Sequence, residues 1–406
     1  MATVDEQFTV LAAGAVDLIG EAELRRKLES GRPLRAKLGL DPSKPDIHIG
    51  HAVVLRRLRD FQELGHTAVL IVGDFTAQVG DPSGRSATRP ALSSQEADEN
   101  AATYFEQAQR VLLPDNLEIR YNSEWLGTMG IDDVLRLTGR ATVARMLERD
   151  DFAKRFASGT PISVMELLYP LLQAWDSVMV QADVEIGGTD QLFNFLAARP
   201  IQQHEGQDPQ VVLTMPLLVG LDGKQKMSKS LDNYVGITEP PGEQYGKVMS
   251  LRDETMPEYF ALATGWPDVR VAEVSGALQS GEITPRDAKR LLARTVVDLY
   301  HGEGAGAEAE AEFDHVFVAH EIPDDVPDVP IPPDDVREGR VRVATLVARA
   351  FPKAVPSNKE GRRKIQQGGV RLDGDVVTDA DFEVAPADVD GKLLQLGRRN
   401  WARLRA

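Results

Sequence analysis

The 406-residue sequence contains no cysteine. Disulfide bonds, thiolate metal sites and cysteine nucleophiles are therefore excluded together. The sequence also lacks any apolar run that approaches the roughly 18 residues of a membrane-spanning helix. Residues 1–9 carry Asp5 and Glu6 where a secretion signal would carry basic residues. These absences predict a soluble, cytoplasmic protein with no membrane partner.

Positive charge is scarce over most of the chain. The formal net charge is −17, which by itself disfavours a nucleic-acid partner because like charges repel at long range. Residues 340–406 differ: they hold 14 Lys or Arg against eight Asp or Glu, a balance of +6, so the preceding 339 residues carry −23. The sequence thus predicts a small basic module attached to a large acidic body.

Short apolar runs alternate with amphipathic stretches through the first two-thirds of the chain, a pattern typical of an α/β fold with a parallel sheet. The predicted strands are residues 35–40, 68–72, 117–121, 184–186 and 211–213. The predicted helices of this part are residues 51–64 and a helix that starts at a Ser93–Glu96 capping box and continues through Val111.

Changes in pattern predict four segments. Residues 1–245 form the α/β domain, and residues 246–320 form a helical domain with helices at 257–263 and 285–300. Residues 321–340 are a Pro- and Asp-rich linker, because five prolines at 323–333 prevent a helix or a central strand. Residues 341–406 form a small α+β module, whose elements are helices at 341–351 and 357–365 and a hairpin at 370–377 turning at Asp373-Gly374.

The first motif with chemical meaning is His48-Ile49-Gly50-His51, where the first predicted strand meets the first long helix. A helix N-terminus presents unpaired N–H groups and positive partial charge, which suit a phosphate. The two imidazoles add donors, and Gly50 lets a nucleotide approach the backbone. The motif predicts an ATP site; the alternative is that both histidines only cap the helix or fill the core.

The second motif is Lys226-Met227-Ser228-Lys229-Ser230, which follows Asp222-Gly223 in a loop. Two lysines three residues apart, with hydroxyls between them, suit a triphosphate and a leaving pyrophosphate because flexible point charges can follow both. The alternative is a solvated basic turn.

The two motifs, in this order, resemble those of class I aminoacyl-tRNA synthetases, and the blocks between them resemble the tyrosyl-tRNA synthetase family. These blocks are Leu40-Asp41-Pro42-Ser43, Gly73-Asp74, Gly80-Asp81-Pro82-Ser83-Gly84, the stretch from Tyr169 to Asp176, and Gly187-Gly188-Thr189-Asp190-Gln191. The resemblance covers nearly the whole chain, since the helical region and a basic module like the S4 RNA-binding domain also match.

The resemblance implies a Rossmann-like, doubly wound catalytic domain, a helical domain on the anticodon side and an S4-like RNA-binding domain. It implies an ATP-dependent tyrosine–tRNA ligase that forms tyrosyl-adenylate and pyrophosphate and then charges tRNA(Tyr). The implied ligands are L-tyrosine, ATP with Mg²⁺, and tRNA; a resident metal site and a DNA partner are not expected. A cytoplasmic homodimer is also implied.

Carried over by position, the resemblance also implies site residues. The catalytic residues are His48, His51, Lys226 and Lys229. Besides these four, the ATP site comprises Gly39, Asp41, Gly50, Gly188, Asp190, Gln191, Ser228 and Ser230. The amino-acid site comprises Asp81, Tyr169 and Gln173 for the ammonium, Asp176 for the phenol, and Lys37 and Gln191. The tRNA site comprises Arg85, Arg89, Arg362, Arg363, Lys364 and Arg371.

Lys37 is a departure from the family pattern, because many relatives carry a tyrosine there that helps to bind the substrate hydroxyl. A lysine at this position requires a carboxylate partner or solvent. Tryptophanyl-tRNA synthetase therefore stays open as an alternative.

Three of the predicted polar ligands could also have a purely structural role. Asp81 lies in a turn whose backbone it can bond, and Gln173 and Asp176 lie three residues apart on one helix, where polar groups need partners.

Two other classes of protein are alternatives. A nucleotidyltransferase of the same superfamily would share the histidine motif but lack the lysine loop and the RNA module. A non-catalytic RNA-binding paralogue would have lost one of the two motifs, and both are present.

Overall fold

The computed structural model describes residues 2–42, 45–83, 93–317, 326–397 and 400–406. The chain divides into two compact units, Met1–Gly306 and Ala307–Ala406. Among the described residues, no helix combines the length and the apolar character needed to cross a membrane.

A six-stranded sheet organises the first unit. Its strands are β1 (Asp17–Ile19), β2 (Arg35–Leu40), β3 (Thr67–Val72), β4 (Leu117–Tyr121), β5 (Val184–Gly188) and β6 (Val211–Met215). Their spatial order is β1-β6-β5-β2-β3-β4, with β2 to β6 parallel and β1 antiparallel to β6. The five predicted strands and the doubly wound parallel sheet are confirmed. The three-residue β1 was not predicted, because such a strand is too short to show the alternation of apolar and polar residues.

The strand order places the site. From β2 the chain winds outward through β3 and β4 and then returns to the opposite side of β2 with β5 and β6. In doubly wound sheets this reversal opens a crevice at the carboxyl ends of the two central strands, where ligands bind. A ligand site is therefore expected where β2 and β5 end.

Helices precede and connect the strands of this sheet. They are α1 (Val4–Ala12), α2 (Glu21–Glu29), α3 (Ile49–Glu63), α4 (Thr76–Val79), α5 (Ser94–Ala102), α6 (Tyr104–Ala108), α7 (Ser123–Leu126), α8 (Ile131–Thr138), α9 (Val143–Met146), α10 (Asp150–Ala157), α11 (Val164–Met179) and α12 (Leu192–His204). The helical region that follows comprises α13 (Pro241–Met249), α14 (Met256–Ala263), α15 (Asp268–Ser280) and α16 (Pro285–His301), and α17 (Ala305–Phe317) crosses the boundary between the units.

One predicted helix is wrong in its extent. The Ser93–Glu96 capping box is present, but α5 ends at Ala102 and α6 ends at Ala108, so no continuous helix reaches Val111. Thr103 interrupts it: its hydroxyl donates to the Pro45 carbonyl at 2.6 Å. The same hydroxyl also donates to the Asn100 carbonyl at 3.3 Å, and such a local side-chain bond competes with the helical pattern.

The second unit is an α+β module, as predicted. Its strands are β7 (Asp328–Pro330), β8 (Val341–Arg342), β9 (Val370–Leu372), β10 (Asp375–Val376), β11 (Glu383–Val384), β12 (Leu393–Leu396) and β13 (Asn400–Arg405), and its helices beyond α17 are α18 (Val343–Ala350), α19 (Asn358–Gln366) and α20 (Pro386–Val389). The hairpin turns at Asp373 and Gly374, whose φ values of 53° and 92° suit a tight two-residue turn.

The linker prediction needs correction in its described part, residues 326–340. β7 pairs in parallel with β13 and forms the edge of the five-stranded sheet β10-β9-β12-β13-β7. Ile331 is buried in the hydrophobic core of the same unit. Pro330 is compatible with this position because an edge strand leaves one side without ladder partners. These residues therefore belong to the second unit.

Candidate active site

A cavity of about 290 Å³ lies where β2 and β5 end. The loops that follow the parallel strands, the start of α3, one face of α11 and the lysine loop line it. It gathers the residues that the sequence predicted for ATP and for the amino acid: Gly39, Asp41, His48, Gly50, His51, Asp81, Tyr169, Gln173, Asp176, Gly188, Asp190, Gln191, Lys226, Ser228, Lys229 and Ser230. Lys37 does not line it, and Ser43, Gly84, Arg85 and Arg89 lie outside the described residues.

The two histidines cap the start of α3 reciprocally. The Nδ1 of His48 accepts the backbone N–H of His51 at 3.3 Å, and the Nδ1 of His51 accepts the backbone N–H of His48 at 3.3 Å. Their rings stack with centroids 3.7 Å apart. Because both Nδ1 atoms are acceptors, each neutral ring carries its proton on Nε2.

Both imidazoles are held neutral. Burial, followed by the nearby charge of Lys229, lowers the pKa of His48 to about 3. Burial also places the pKa of His51 well below its usual value, with His48 and Lys229 adding to the effect. The pair therefore offers N–H donors to a phosphate without offering positive charge. The capping role and the ligand-facing role are compatible, since the first uses Nδ1 and the second uses Nε2.

Asp176 forms a buried carboxylate at the α11 face of the cavity. Its Oδ1 accepts the indole N–H of Trp125 at 2.7 Å and its Oδ2 accepts the amide of Asn122 at 3.2 Å. Burial raises the pKa of Asp176 to about 6, while the charge of Lys37 and the two hydrogen bonds oppose that rise. Each carboxylate oxygen keeps a lone pair for another donor.

Asp81 and Tyr169 are two further residues of the cavity whose oxygens can accept hydrogen bonds. Asp81 accepts the Gln191 amide at 2.8 Å, and it also accepts the backbone N–H of Ser83 at 2.8 Å, as its turn position predicted. Tyr169 donates its hydroxyl proton to Asp41 at 2.8 Å, so the phenol oxygen faces other groups as an acceptor. Burial, with the carboxylate of Asp41, raises the pKa of Tyr169 well above its usual value. Tyr169 therefore stays protonated and its oxygen can accept from a cation.

The lysine loop is anchored at both lysines. Lys226 donates to Asp190 at 2.6 Å, and the buried Lys229 donates to the hydroxyl of Tyr104 at 2.6 Å. The backbone of the loop is held by the Asn233 side chain, which accepts from the Ser228 N–H at 2.8 Å. The loop is thus packed against the cavity, in contrast to the solvated turn that was the alternative.

Lys37 lies behind α11, fully buried. Its ammonium donates to Glu185 at 2.7 Å, to the Ser177 hydroxyl at 2.8 Å and to the Gln173 carbonyl at 3.1 Å. The carboxylate partner that a buried lysine requires is therefore Glu185, its register neighbour on β5. All three protons of Lys37 are used there.

Several polar residues of the site were missed by the sequence analysis. Thr76, Asn122, Trp125, Asn194 and Glu185 all bond side chains that line the cavity. Asn122 directly follows β4 and could have been found, because residues after parallel strands face the crevice. The others have no local signal, since their partners come from distant parts of the chain.

The predicted tRNA residues in the second unit lie on α19 and β9. Arg362 pairs with Asp381 and Arg363 pairs with Glu360 on its own helix. Arg371 is exposed and donates to the Gly374 carbonyl at 2.9 Å. Exposed ion pairs such as the first two are individually weak.

Comparison with known proteins decides the family. Residues 29–318 match the model described as tRNA synthetases class I (W and Y). The chain belongs to this family. It is 50% identical over 405 residues to the tyrosine–tRNA ligase of Moorella thermoacetica, covering 99% of this chain and 96% of that relative. It is 49% identical over 403 residues to the tyrosine–tRNA ligase of Thermotoga maritima, covering 99% of this chain and 98% of that relative.

Solved structures of class I synthetases share the fold. A tyrosyl-tRNA synthetase of Archaeoglobus fulgidus complexed with L-tyrosine matches with a TM-score of 0.62 and 24% identity, covering 76% of this chain and 99% of that chain. A truncated mitochondrial tyrosyl-tRNA synthetase of Aspergillus nidulans matches with a TM-score of 0.62 and 22% identity, covering 78% of this chain and 95% of that chain. At these identities the likeness concerns the fold alone.

The histidine pair of this synthetase yields a prediction. Neither His48 nor His51 should titrate between about pH 5 and 8, where an ordinary imidazole changes its charge, because burial lowers both pKa values. Proton–nitrogen NMR should show both rings as the Nε2-protonated tautomer throughout that range. In Lys229→Met the pKa of His48 should rise but stay below its usual value, since burial is the larger cause. An ordinary midpoint near 6.5 in the wild type would contradict this account.

Proposed function

We propose that this synthetase is a cytoplasmic, ATP-dependent tyrosine–tRNA ligase, which forms tyrosyl-adenylate and transfers tyrosine to the 3′ end of tRNA(Tyr). The observation that carries the choice of substrate is Asp176, a buried carboxylate at the cavity wall with acceptor capacity left. The names of the relatives favour tyrosine over tryptophan, the alternative left open by Lys37.

Asp176 would recognise the phenol of tyrosine through a hydrogen bond. An ionised carboxylate accepts a phenol O–H in a charge-assisted bond, whereas the ring of phenylalanine would leave the buried carboxylate without that donor. Tyrosine–tRNA ligases themselves are the standard case of such rejection without editing. Trp125 and Asn122 would hold the carboxylate in place, because they donate to its two oxygens.

Asp81, Tyr169 and Gln173 would hold the substrate ammonium. Asp81 supplies charge, while Tyr169 and Gln173 supply oxygens whose orientation is fixed: Tyr169 donates to Asp41, and Gln173 accepts from Asn194 at 3.0 Å. A cation with three N–H donors matches three such acceptors. The substrate carboxylate is then directed toward the start of α3.

ATP would occupy the other end of the cavity. The Nε2–H groups of His48 and His51 would meet the phosphates, because the reciprocal cap already engages the backbone N–H of His51. Lys226 and Lys229 would exchange Asp190 and Tyr104 for the triphosphate. The ribose and base would lie on the remaining predicted residues, which are Gly39, Asp41, Gly50, Gly188, Asp190, Gln191, Ser228 and Ser230.

Activation would be an in-line displacement. A substrate carboxylate oxygen attacks the α-phosphorus, the bond from that phosphorus to the β-bridging oxygen breaks, and pyrophosphate leaves with its electron pair. His48 and His51 stabilise the transferring phosphate, and Lys226 and Lys229 stabilise the leaving group. Among the described residues no group of His, Asp and Glu could hold a metal ion, so Mg²⁺ is proposed to accompany the ATP phosphates as part of the substrate.

In the second step a terminal ribose hydroxyl of tRNA attacks the carbonyl carbon of the adenylate. The bond from that carbon to the phosphate oxygen breaks, AMP leaves, and the hydroxyl proton is proposed to pass to the phosphate of the departing AMP. The acidic first unit repels RNA, so the basic module would supply much of the affinity through phosphate contacts by Arg362, Arg363, Lys364 and Arg371. Arg85 and Arg89 are proposed to guide the acceptor end or the triphosphate.

The first test is amino-acid-dependent ATP–pyrophosphate exchange with each of the twenty amino acids. Exchange is expected with tyrosine, and kcat/KM for tyrosine should fall about 10- to 150-fold in Asp176→Asn, the worth of one charge-assisted hydrogen bond. Asp176 must be ionised to accept the phenol proton, so wild-type kcat/KM for tyrosine should also fall as the pH drops through about 6. This acid limb of the pH profile should be absent from Asp176→Asn. The control Asp268→Asn should match the wild type. Exchange with tryptophan alone, or with no amino acid, would overturn the proposal.

The basic module is tested by Lys364→Ala/Arg371→Ala. If these side chains contact phosphates, the affinity for tRNA should fall and the slope of log K against log salt should shrink by about 1 to 2. Tyrosine-dependent exchange should be unchanged, since the adenylate site lies in the first unit. Arg25→Ala, which removes a half-buried first-unit arginine paired with Asp5, should leave tRNA binding unaltered. An unchanged tRNA affinity in the double variant would refute the assignment.

We also propose a homodimer. Five large apolar side chains are more than 60% exposed within residues 131–164: Ile131, Leu135, Val143, Phe156 and Val164. We propose that these residues contribute to one apolar interaction surface, because exposed apolar patches are typical of such surfaces. A twofold dimer would bury the same surface on both copies.

The dimer is tested by sedimentation equilibrium of Phe156→Glu/Val164→Glu. The variant should be monomeric, because two charges per subunit would enter an apolar contact. Val269→Glu is the matched control, since Val269 is 70% exposed on α15 outside this stretch; it should remain dimeric. A wild-type monomer at micromolar concentration would rule the dimer out.

A further inference from the structure

Among the described residues, Lys37 and Glu185 form the most deeply buried ion pair in contact with the residues proposed to bind the amino acid. The side chains of Lys37 and Glu185 are 0% and 1% exposed, and the Nζ of Lys37 lies 2.7 Å from the Oε1 of Glu185. Besides Lys37, Glu185 accepts from Gln173 at 3.1 Å, from Ser177 at 3.1 Å and from Gln210. All three protons of Lys37 and both oxygens of Glu185 are engaged. Neither residue lines the cavity, so neither is a direct ligand of the substrate.

The pair acts on the substrate residues through Gln173. The Gln173 amide nitrogen donates to Glu185, so the amide oxygen is directed away from the carboxylate, where it accepts from Asn194 at 3.0 Å. Asn194 also donates to Gln191 at 2.8 Å, and Gln191 donates to Asp81 at 2.8 Å. One chain of directed hydrogen bonds thus runs from the ion pair to Gln173 and Asp81, two of the three acceptors proposed for the ammonium.

The pair also acts on Asp176. Lys37 bonds the Gln173 carbonyl and the Ser177 hydroxyl, which belong to the same turn of α11 as Asp176. The titratable groups that face Asp176 are Lys37 on β2, Glu185 on β5 and Tyr169 on α11. Lys37 lowers the pKa of Asp176 more strongly than Glu185 raises it.

We propose that the Lys37–Glu185 pair is a positioning element that determines amino-acid specificity: it orients the Gln173 amide toward the substrate ammonium and fixes the turn of α11 that presents Asp176 to the phenol. The proposal rests on the proposed function as a tyrosine–tRNA ligase. It assigns to Lys37 an indirect role, in place of the direct contact with tyrosine expected from the sequence.

The test variant is Lys37→Met/Glu185→Gln, which removes both charges and keeps similar side-chain volumes. The single Lys37→Met would leave Glu185 buried without its cation, the more disruptive state. In the folded double variant, kcat/KM for tyrosine should fall at least about tenfold while KM for ATP stays within about twofold. The preference for tyrosine over phenylalanine should fall as well.

A pH profile separates positioning from a general loss of structure. Without Lys37 the pKa of Asp176 should rise, so the acid limb of kcat/KM for tyrosine should move from about pH 6 to higher pH. The matched control is Lys27→Met/Asp183→Asn, a buried pair at 2.9 Å whose residues do not line the cavity. This control should change thermal stability without changing the tyrosine KM or the acid limb.

Ser177→Ala decides the question if the double variant fails to fold. It removes the hydroxyl that joins Lys37 to Glu185 and keeps both charges; KM for tyrosine should rise about threefold with KM for ATP unchanged. A folded double variant with wild-type tyrosine kinetics and an unmoved acid limb would overturn the proposal. If the double variant does not fold, a wild-type KM for tyrosine in Ser177→Ala would overturn it instead. A wild type without tyrosine-dependent exchange would instead overturn the proposed function.

Discussion

The parallel pairing of β2 with β5 is the constraint on which the site depends. Strand order reverses there, so the loops after the two strands diverge and leave the crevice in which the cavity lies. The same register sets Lys37 beside Glu185 on the sheet. A slip of β5 by one residue would turn Glu185 to the other face of the sheet and leave Lys37 without its carboxylate. The position of the cavity and the polar support behind α11 therefore follow from one pairing.

Burial acts in opposite senses on the bases and acids of this cavity. It keeps His48 and His51 neutral by lowering their pKa values, and it raises the pKa of Asp176 only to about 6, because Lys37, Trp125 and Asn122 oppose the rise. At neutral pH the start of α3 thus presents uncharged N–H donors, while the α11 face presents a carboxylate. A ligand with phosphate at one end and a hydrogen-bond donor at the other matches this arrangement.

Local patterns predicted the scaffold well, for identifiable reasons. β2 and β4 were located at their observed ends, because turn-forming residues such as Pro33 and Asp41 or Asn116 and Asn122 flank each strand. The histidine and lysine motifs predicted residues that the fold brings to one cavity, since each motif is contiguous in sequence. The break at Thr103 was missed because it depends on the carbonyl of Pro45, which only the tertiary structure brings near.

The side chain of Lys37 shows where sequence reasoning ends. Its identity predicted a need for a carboxylate, but the choice of Glu185 and the absence of Lys37 from the cavity follow only from strand register and the packing of α11. Resemblance placed Lys37 against the substrate because a tyrosine in many relatives reaches it. A buried ammonium, however, must first satisfy its own donors.

Glycines at the strand ends show that the cavity is shaped by missing side chains as well as by those present. A Cβ on Gly187 would lie 2.5 Å from the ring of Phe195, and one on Gly73 would overlap the carboxylate of Asp41 and the hydroxyl of Thr76. Asp41 is the acceptor that orients Tyr169. A methyl group at Gly73 would therefore disturb an acceptor proposed for the substrate ammonium without touching the substrate, which shows that backbone shape and hydrogen-bond direction are set together.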